Sequence, residues 1–72
     1  MPPSKYNNYV YYVTNDMSDV AIYGSSTRAR AAAFKHCEQD SQEVQIEQDF
    51  KEQGKVTNEG GQWSSWQRFP IM

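Results

Sequence analysis

The single cysteine, Cys37, strongly limits how this chain of 72 residues can stabilise a fold. A domain of this size buries only roughly 60% of its unfolded surface, and disulfides or metal sites usually supplement so small a core. One cysteine excludes an internal disulfide and a cysteine-rich metal site, so we predict neither a metal nor a cofactor. Aromatic side chains must therefore supply much of the core: the chain has five tyrosines, three phenylalanines and two tryptophans. Such rings also form binding surfaces at low entropic cost.

The N-terminal third of the chain predicts a β-hairpin. Residues 9–14 are aromatic and β-branched, turn-forming residues occupy 15–19, and residues 20–23 resume the strand pattern. Both faces of the first strand are largely apolar, so this strand is either central or uses one face for binding. The preceding residues 1–8, rich in proline and asparagine, predict a flexible leader before a single α+β domain over residues 9–72.

An alanine-rich segment after the hairpin predicts a helix. The hydroxyls at residues 25–27 are candidate N-caps, and residues 28–37 contain four alanines. Ala29, Ala33 and Cys37 are spaced i, i+4 and i+8, which places them on one face. Because these side chains are small, we expect the helix to lie close against a sheet.

Residues 42–52 fit a strand better than a helix. Val44 and Ile46 share one parity, while Glu43, Gln45, Glu47 and Asp49 share the other, which is the period of a half-exposed strand. The abundance of glutamate, glutamine and lysine leaves a helix as the alternative. We predict that Gly54 ends this strand and that a hairpin over residues 56–69 closes the chain. The fold class is thus α+β, a small antiparallel sheet of about four strands in the order β-β-α-β-β, with one helix on one face.

The charge distribution argues against general nucleic-acid binding, and the lack of a long apolar stretch argues against a membrane span. The net charge is −2, and residues 38–52 hold six acidic residues against one lysine. Phosphate neutralisation requires clustered Lys and Arg, which this distribution lacks. No stretch approaches the ~20 apolar residues of a membrane span. A lone thiol fits a reducing compartment, so we predict a cytoplasmic protein.

No constellation of residues predicts catalysis. His36 and Cys37 are adjacent in the predicted helix, where neighbouring side chains point ~100° apart, so they cannot form a dyad with each other. Glu47 and Asp49 would share an exposed strand face, with nothing nearby to separate their pKa values. We therefore predict no catalytic residues, a buried thiol and a protein that is not an enzyme.

The leading hypothesis is a small protein-binding module that regulates or inhibits a larger macromolecule, as phage and mobile-element accessory proteins do. It would act through an aromatic sheet face and the acidic segment. Trp63 and Trp66 are three residues apart and should face opposite sides of a regular strand, and we predict that Trp66 is exposed. A homodimer is also open to so small a domain. The predicted partner-binding residues are Tyr9, Tyr11, Tyr12, Glu43, Glu47, Asp49 and Trp66.

The alternative hypothesis is a domain that binds single-stranded nucleic acid. Tyrosines on an exposed sheet face can stack on bases, and flanking basic residues can contact phosphates. The predicted residues of this site are Tyr9, Tyr11, Tyr12, Arg28, Arg30 and Lys35.

Overall fold

The computed structural model describes residues 9–39 and 43–71. The predicted leader over residues 1–8 lies outside this part of the chain. The elements are β1 (Tyr9–Asn15), β2 (Val20–Tyr23), α1 (Ser26–Glu38), β3 (Val44–Asp49), β4 (Gln53–Asn58) and β5 (Trp63–Pro70).

The five strands form one antiparallel sheet in the order β2-β1-β5-β4-β3. The prediction of an α+β fold with a small antiparallel sheet is confirmed, as are the hairpin over residues 9–23 and the strand within residues 42–52. The sheet has one strand more than the predicted four. The predicted closing hairpin over residues 56–69 is confirmed as β4 and β5, but β4 already starts at Gln53, so Gly54 does not end β3 and lies within the next strand.

The helix α1 covers one face of the sheet. Ser25 is its N-cap, and the Ser25 hydroxyl accepts a hydrogen bond from the backbone N–H of Arg28 at 3.2 Å. The predicted face of small residues is confirmed, because Ala29, Ala33 and Cys37 are all fully buried. The sheet contributes the rest of the core through Tyr11, Val13, Val56 and Trp66.

The Trp66 indole packs directly against the backbone of Gly54. The two residues are paired across β4 and β5, and the Trp66 indole lies over the glycine. A Cβ atom at Gly54 would overlap the Trp66 ring and would lie 2.5 Å from the carbonyl oxygen of Gln48. The indole N–H donates to the carbonyl oxygen of Phe50 at 3.1 Å, which fixes the ring in this position. Only glycine therefore fits beneath this tryptophan.

Asn58 joins the end of α1 to the turn between β4 and β5. Its side chain is buried, and its amide Nδ2 donates to the carbonyl oxygen of Cys37 at 2.9 Å and to Oε1 of Gln62 at 2.7 Å. Its Oδ1 accepts from the backbone N–H groups of Gly60 and Gln62, at 2.9 and 3.0 Å. One side chain thus satisfies a carbonyl in the last turn of the helix and two turn amides.

A β-bulge changes the parity of β3. The register of β3 against β4 shifts between Ile46 and Gln48, so Glu47 is the additional residue. After the shift, Asp49 lies opposite Gly54 and on the same face as α1. The Arg30 guanidinium donates to both carboxylate oxygens of Asp49 at 2.6 Å. The prediction that Glu47 and Asp49 share one exposed face is therefore wrong, because a regular alternation does not continue through a bulge.

Candidate interaction surface on the open face of the sheet

The sheet face opposite α1, which we call the open face, is not covered by any element of residues 9–39 and 43–71. One helix can cover only one side of a five-stranded sheet, so the side chains of alternate residues on the other side remain accessible. Its two halves differ in chemistry. Strands β2, β1 and β5 present apolar side chains, and strands β5, β4 and β3 present polar ones.

The apolar half forms one continuous patch. Tyr12 lies opposite Ile22 on β2, and Val10 lies opposite Phe69 on β5. The rings of Tyr12 and Phe69 contact each other edge to face, with centroids 4.9 Å apart. Val20, two residues before Ile22 on the same strand, extends the patch to the sheet edge. The apolar patch thus consists of Val10, Tyr12, Val20, Ile22 and Phe69.

Exposure distinguishes this patch from ordinary surface. The residues Val20, Ile22 and Phe69 are 62%, 57% and 42% exposed. Single exposed apolar residues are common on protein surfaces, but a contiguous group of them usually marks a binding site. The Tyr12 and Phe69 rings are held by each other, so they lose little entropy when a partner binds.

The polar half forms a shallow concavity of about 190 Å³. Gly54 and Trp66 form part of its lining, and its polar groups are the side chains of Gln48, Gln53, Lys55, Ser65 and Gln67. Gln67 lies opposite Tyr12 and also opposite Gln53, so it adjoins both halves of the open face. The Lys55 ammonium lies 5.2 Å from the ring centroid of Trp63, a cation–π contact at the end of this half.

Of the predicted aromatic contact residues, only Tyr12 lies on the open face. Tyr11 is buried under α1, and Tyr9 packs against the core while the Arg68 guanidinium lies 4.1 Å from its ring centroid. The prediction that Trp66 is exposed is wrong, because this side chain is only 1% exposed. The pairing of Trp66 with Gly54 and Val13 turns its ring toward the helix, and Trp63 takes the open face.

The predicted acidic residues do not adjoin the apolar patch. Glu43 and Glu47 are exposed, directly before β3 and within it, and two strands separate β3 from β1. Asp49 faces the helix, and its ion pair with Arg30 lowers the pKa of its carboxyl. The apolar patch and the three predicted acidic residues thus occupy separate regions of the molecule.

The six residues predicted for nucleic-acid binding do not form one surface. Tyr12 lies on the open face, while Tyr11 is buried on the other side. Arg30 pairs with Asp49, and its guanidinium also lies 4.4 Å from the ring centroid of Phe34. Arg28 and Lys35 are exposed on the helix, away from Tyr12.

His36 and Cys37 take structural positions. The His36 ring lies 2.7 Å from Oδ1 of Asp16, and the same oxygen accepts the backbone N–H of Trp63 at 3.0 Å. The hydrogen bond with His36, followed by that from Trp63, lowers the pKa of Asp16. Burial raises the pKa of the Cys37 thiol, which contacts the carbonyl oxygen of Val56 at 3.6 Å. The thiol therefore stays protonated and buried, as predicted.

Acid is expected to weaken the contact among β1, α1 and β5 at Asp16. Because folding lowers the pKa of this carboxyl, its contribution to stability is complete above its unfolded pKa of about 4 and is lost as the pH falls through the folded value. Asp16→Asn keeps an acceptor oxygen but does not titrate. Urea unfolding between about pH 7 and pH 3 should give a flatter stability profile for this variant than for the wild type. Equal slopes would contradict the prediction.

Four residues of the apolar patch, Val10, Val20, Ile22 and Phe69, are absent from the predicted binding residues. The sequence did hold a signal for two of them. Ala21 alternates with Val20 and Ile22, and a small residue suits the face against which an alanine-rich helix lies closely. Val20 and Ile22 must then point to the other face.

Comparison with known proteins identifies no relative: no protein-family model matches the chain, and no curated protein or solved structure matches it. Within residues 9–39 and 43–71, no helix is long and apolar enough to cross a membrane. The same residues contain no group of three or more side chains that could hold a metal ion. Function must therefore be inferred from the surface itself.

Proposed function

We propose that the protein is a small protein-binding module whose contact surface is the apolar patch on the open face. The observation that carries this proposal is the contiguity of Val20, Ile22 and Phe69 with the Tyr12 ring on an uncovered face. Its chemistry resembles that of protein interfaces, which are rich in aromatic residues and poor in charge at their centre. The occupant is therefore a protein with a complementary apolar surface.

The surroundings of the patch support a role in recognition. Gln67 lies beside Tyr12, and the polar concavity begins at Gln67. The apolar patch therefore has side-chain amides along its β5 side. Amides at the rim of an interface give orientation and selectivity, while buried rings supply most of the affinity. Glu47, at the bulge of β3, is too far along the sheet to contact the same small epitope, and it would engage only a larger partner.

The proposed action is regulation or inhibition by occupancy, as in accessory proteins of phages and mobile elements. A domain of 72 residues with its polar core groups committed to structure can act by covering a site on a larger macromolecule. We place this activity in the cytoplasm, where a single reduced cysteine is stable.

Phe69→Asp is expected to abolish most of the binding, because it removes the ring that packs on Tyr12 and places a carboxylate within the patch. The partner is first captured from lysate with the tagged chain, and its affinity is then measured by calorimetry. For an aromatic ring that contributes strongly to an interface we expect a loss of about 2 kcal/mol, or roughly 30-fold in affinity.

Phe50→Asp is the matched control. Phe50 is an exposed phenylalanine in the connection between β3 and β4, and only its backbone makes the hydrogen bonds that hold this connection. Equal affinity of Phe69→Asp and the wild type would contradict the proposal. Loss of binding in Glu47→Lys alone would transfer the function to the acidic residues. Capture that disappears after nuclease treatment would favour the nucleic-acid alternative.

A further inference from the structure

The outer side of β2, a strand of only four residues, is an edge without a proline, a charged side chain or a bulge to protect it from pairing. No strand among the described residues pairs with this side. Residues 20–23 contain no proline, no charged side chain and no bulge, and two of the four are exposed and apolar. Proteins usually block such an edge with a lysine, a proline or a bulge, because its open backbone groups can accept a further strand.

The opposite edge, β3, does carry these features. A bulge at Glu47 interrupts its regular pairing, Glu47 and Asp49 introduce charge, and Arg30 holds Asp49 down onto the helix side. The two edges of one sheet thus differ. Since the protein blocks one edge and leaves the other open, the edge at β2 can accept a further strand more readily than the edge at β3.

The alternation of hydrogen bonds along β1 shows which backbone groups of β2 point outward from the sheet. The N–H of Asp16 donates to the carbonyl oxygen of Trp63, so the residues of β1 with even numbers bond to β5 and those with odd numbers bond to β2. Val13 therefore bonds to Ala21, its partner on β2. By the same alternation, the N–H and C=O groups of Val20 and Ile22 point away from the sheet.

We infer that a second copy of this chain adds its own β2 to this edge in antiparallel orientation. The two-fold axis passes between the two Ala21 residues, so Val20 of each copy exchanges backbone hydrogen bonds with Ile22 of the other. Ala21 then forms the close, non-hydrogen-bonded pair at the axis, where a small side chain is required. The two sheets become continuous, and both helices lie on the same side.

Charge at the two ends of β2 favours a second copy in this orientation. Asp19 precedes the strand, and Arg28 lies in the first turns of the helix that follows it. An antiparallel copy places Asp19 opposite Tyr23 of the second copy, at the end from which α1 and Arg28 continue. A parallel copy would place the two Asp19 carboxylates side by side. The pairing also joins the two apolar patches into one, because Ile22 of each copy meets Val20 of the other on the open face.

Two variants test the edge. Val20→Pro removes an outward N–H but no bond to β1, and Ile22→Lys adds the charge that blocks natural edges. Sedimentation velocity from micromolar to millimolar concentration should show the wild type changing from the 8.3 kDa monomer to a dimer. Each variant should raise the dissociation constant about tenfold or more, since two-fold symmetry makes each change act twice.

The chain provides a matched control at the other edge. Ile46 on β3 is 52% exposed and Ile22 on β2 is 57% exposed, so Ile46→Lys introduces the same change at a similarly exposed position of the other edge strand, on the helix side of the sheet. Ile46→Lys should dimerise like the wild type. Asp19→Arg should weaken the dimer, and adding Arg28→Asp should restore it.

Three outcomes would overturn the inference: a wild type that stays monomeric at millimolar concentration, a dimer insensitive to both edge variants, or equal effects of Ile22→Lys and Ile46→Lys. A dimer lost in Phe69→Asp but kept in Val20→Pro would mean that the open faces pack together instead, which also overturns it. Circular dichroism checks that each variant is folded. If Val20→Pro does not fold, the comparison of Ile22→Lys with Ile46→Lys tests the edge pairing on its own. The variants Phe69→Asp and Phe50→Asp test the proposed function separately. That proposal stands if no dimer forms.

Discussion

Gly54→Ala is expected to lower the free energy of unfolding by about 3 kcal/mol, the upper end of the range for overpacked cores. The added methyl group would overlap the Trp66 indole, which is held by its hydrogen bond to Phe50. It would also approach the carbonyl oxygen of Gln48, a backbone atom that cannot rotate away. For a domain of this size, with a total stability of ~4–10 kcal/mol, this is a large fraction. Urea unfolding followed by tryptophan fluorescence measures the change.

Gly24→Ala is the control for this prediction. A Cβ atom at Gly24 has no neighbour within 4 Å, so its substitution should change stability by no more than about 0.5 kcal/mol. Trp66→Phe provides a second check, because it removes the outer ring atoms that the Gly54 methyl group would meet. The two substitutions together should therefore destabilise less than the sum of their separate effects. Equal stability of Gly54→Ala and Gly24→Ala would contradict the assigned packing.

Local patterns predicted the elements of this fold but not the faces of its sheet. The Ser25 cap, the small-residue face of α1 and the first hairpin each depend on residues close together in the chain, so the sequence identified them. The alternation of β5 shows that Trp63 and Trp66 face opposite sides, but it cannot show which side the helix covers. Packing between neighbouring strands decides which tryptophan faces the helix, because Gly54 on β4 leaves room for the Trp66 indole on that side.

The bulge at Glu47 could not be predicted from the alternation of β3. Residues 43–49 alternate regularly in sequence, yet the inserted residue brings Asp49 to the helix side, where it meets Arg30. The ion pair joins residues 19 positions apart, so no local pattern indicates it. For the same reason, the sequence predicted a row of carboxylates on one face that the structure does not contain.

The proposed interaction surfaces both follow from having one helix for five strands. Covering the center of one face with Ala29 and Ala33 leaves the opposite face to solvent, and the short β2 at the sheet edge carries that exposure outward. Val20 and Ile22 belong to both surfaces, through their side chains on the open face and through their backbone at the edge. A dimer would therefore present a patch of twice the length to a partner, and it would bind a two-fold symmetric or repeated partner with avidity.

Asn58→Asp is expected to destabilise the domain by about 3 kcal/mol near neutral pH, although the two side chains have the same shape. Oδ1 keeps its bonds from the N–H groups of Gly60 and Gln62, but the other oxygen replaces a donor that faces the carbonyl oxygen of Cys37 and Oε1 of Gln62. The Gln62 amide can rotate and donate, but the carbonyl oxygen of Cys37 then faces a carboxylate oxygen in a buried site without a proton between them.

The pH dependence of this variant separates a lost donor from a general disturbance of the turn. The new carboxyl should bind a proton more readily in the folded state, because the protonated form can donate to Cys37 or Gln62. Its stability relative to the wild type should then increase as the pH falls from about 7 to about 5, a range in which Asp16 and Asp49 stay charged because folding lowers the pKa of each. The matched control is Gln67→Glu, the same chemical change at an exposed site, which should alter stability by less than about 0.5 kcal/mol at both pH values. A stability deficit of Asn58→Asp that does not change with pH would show that the Nδ2 bonds do not hold the end of α1 to this turn.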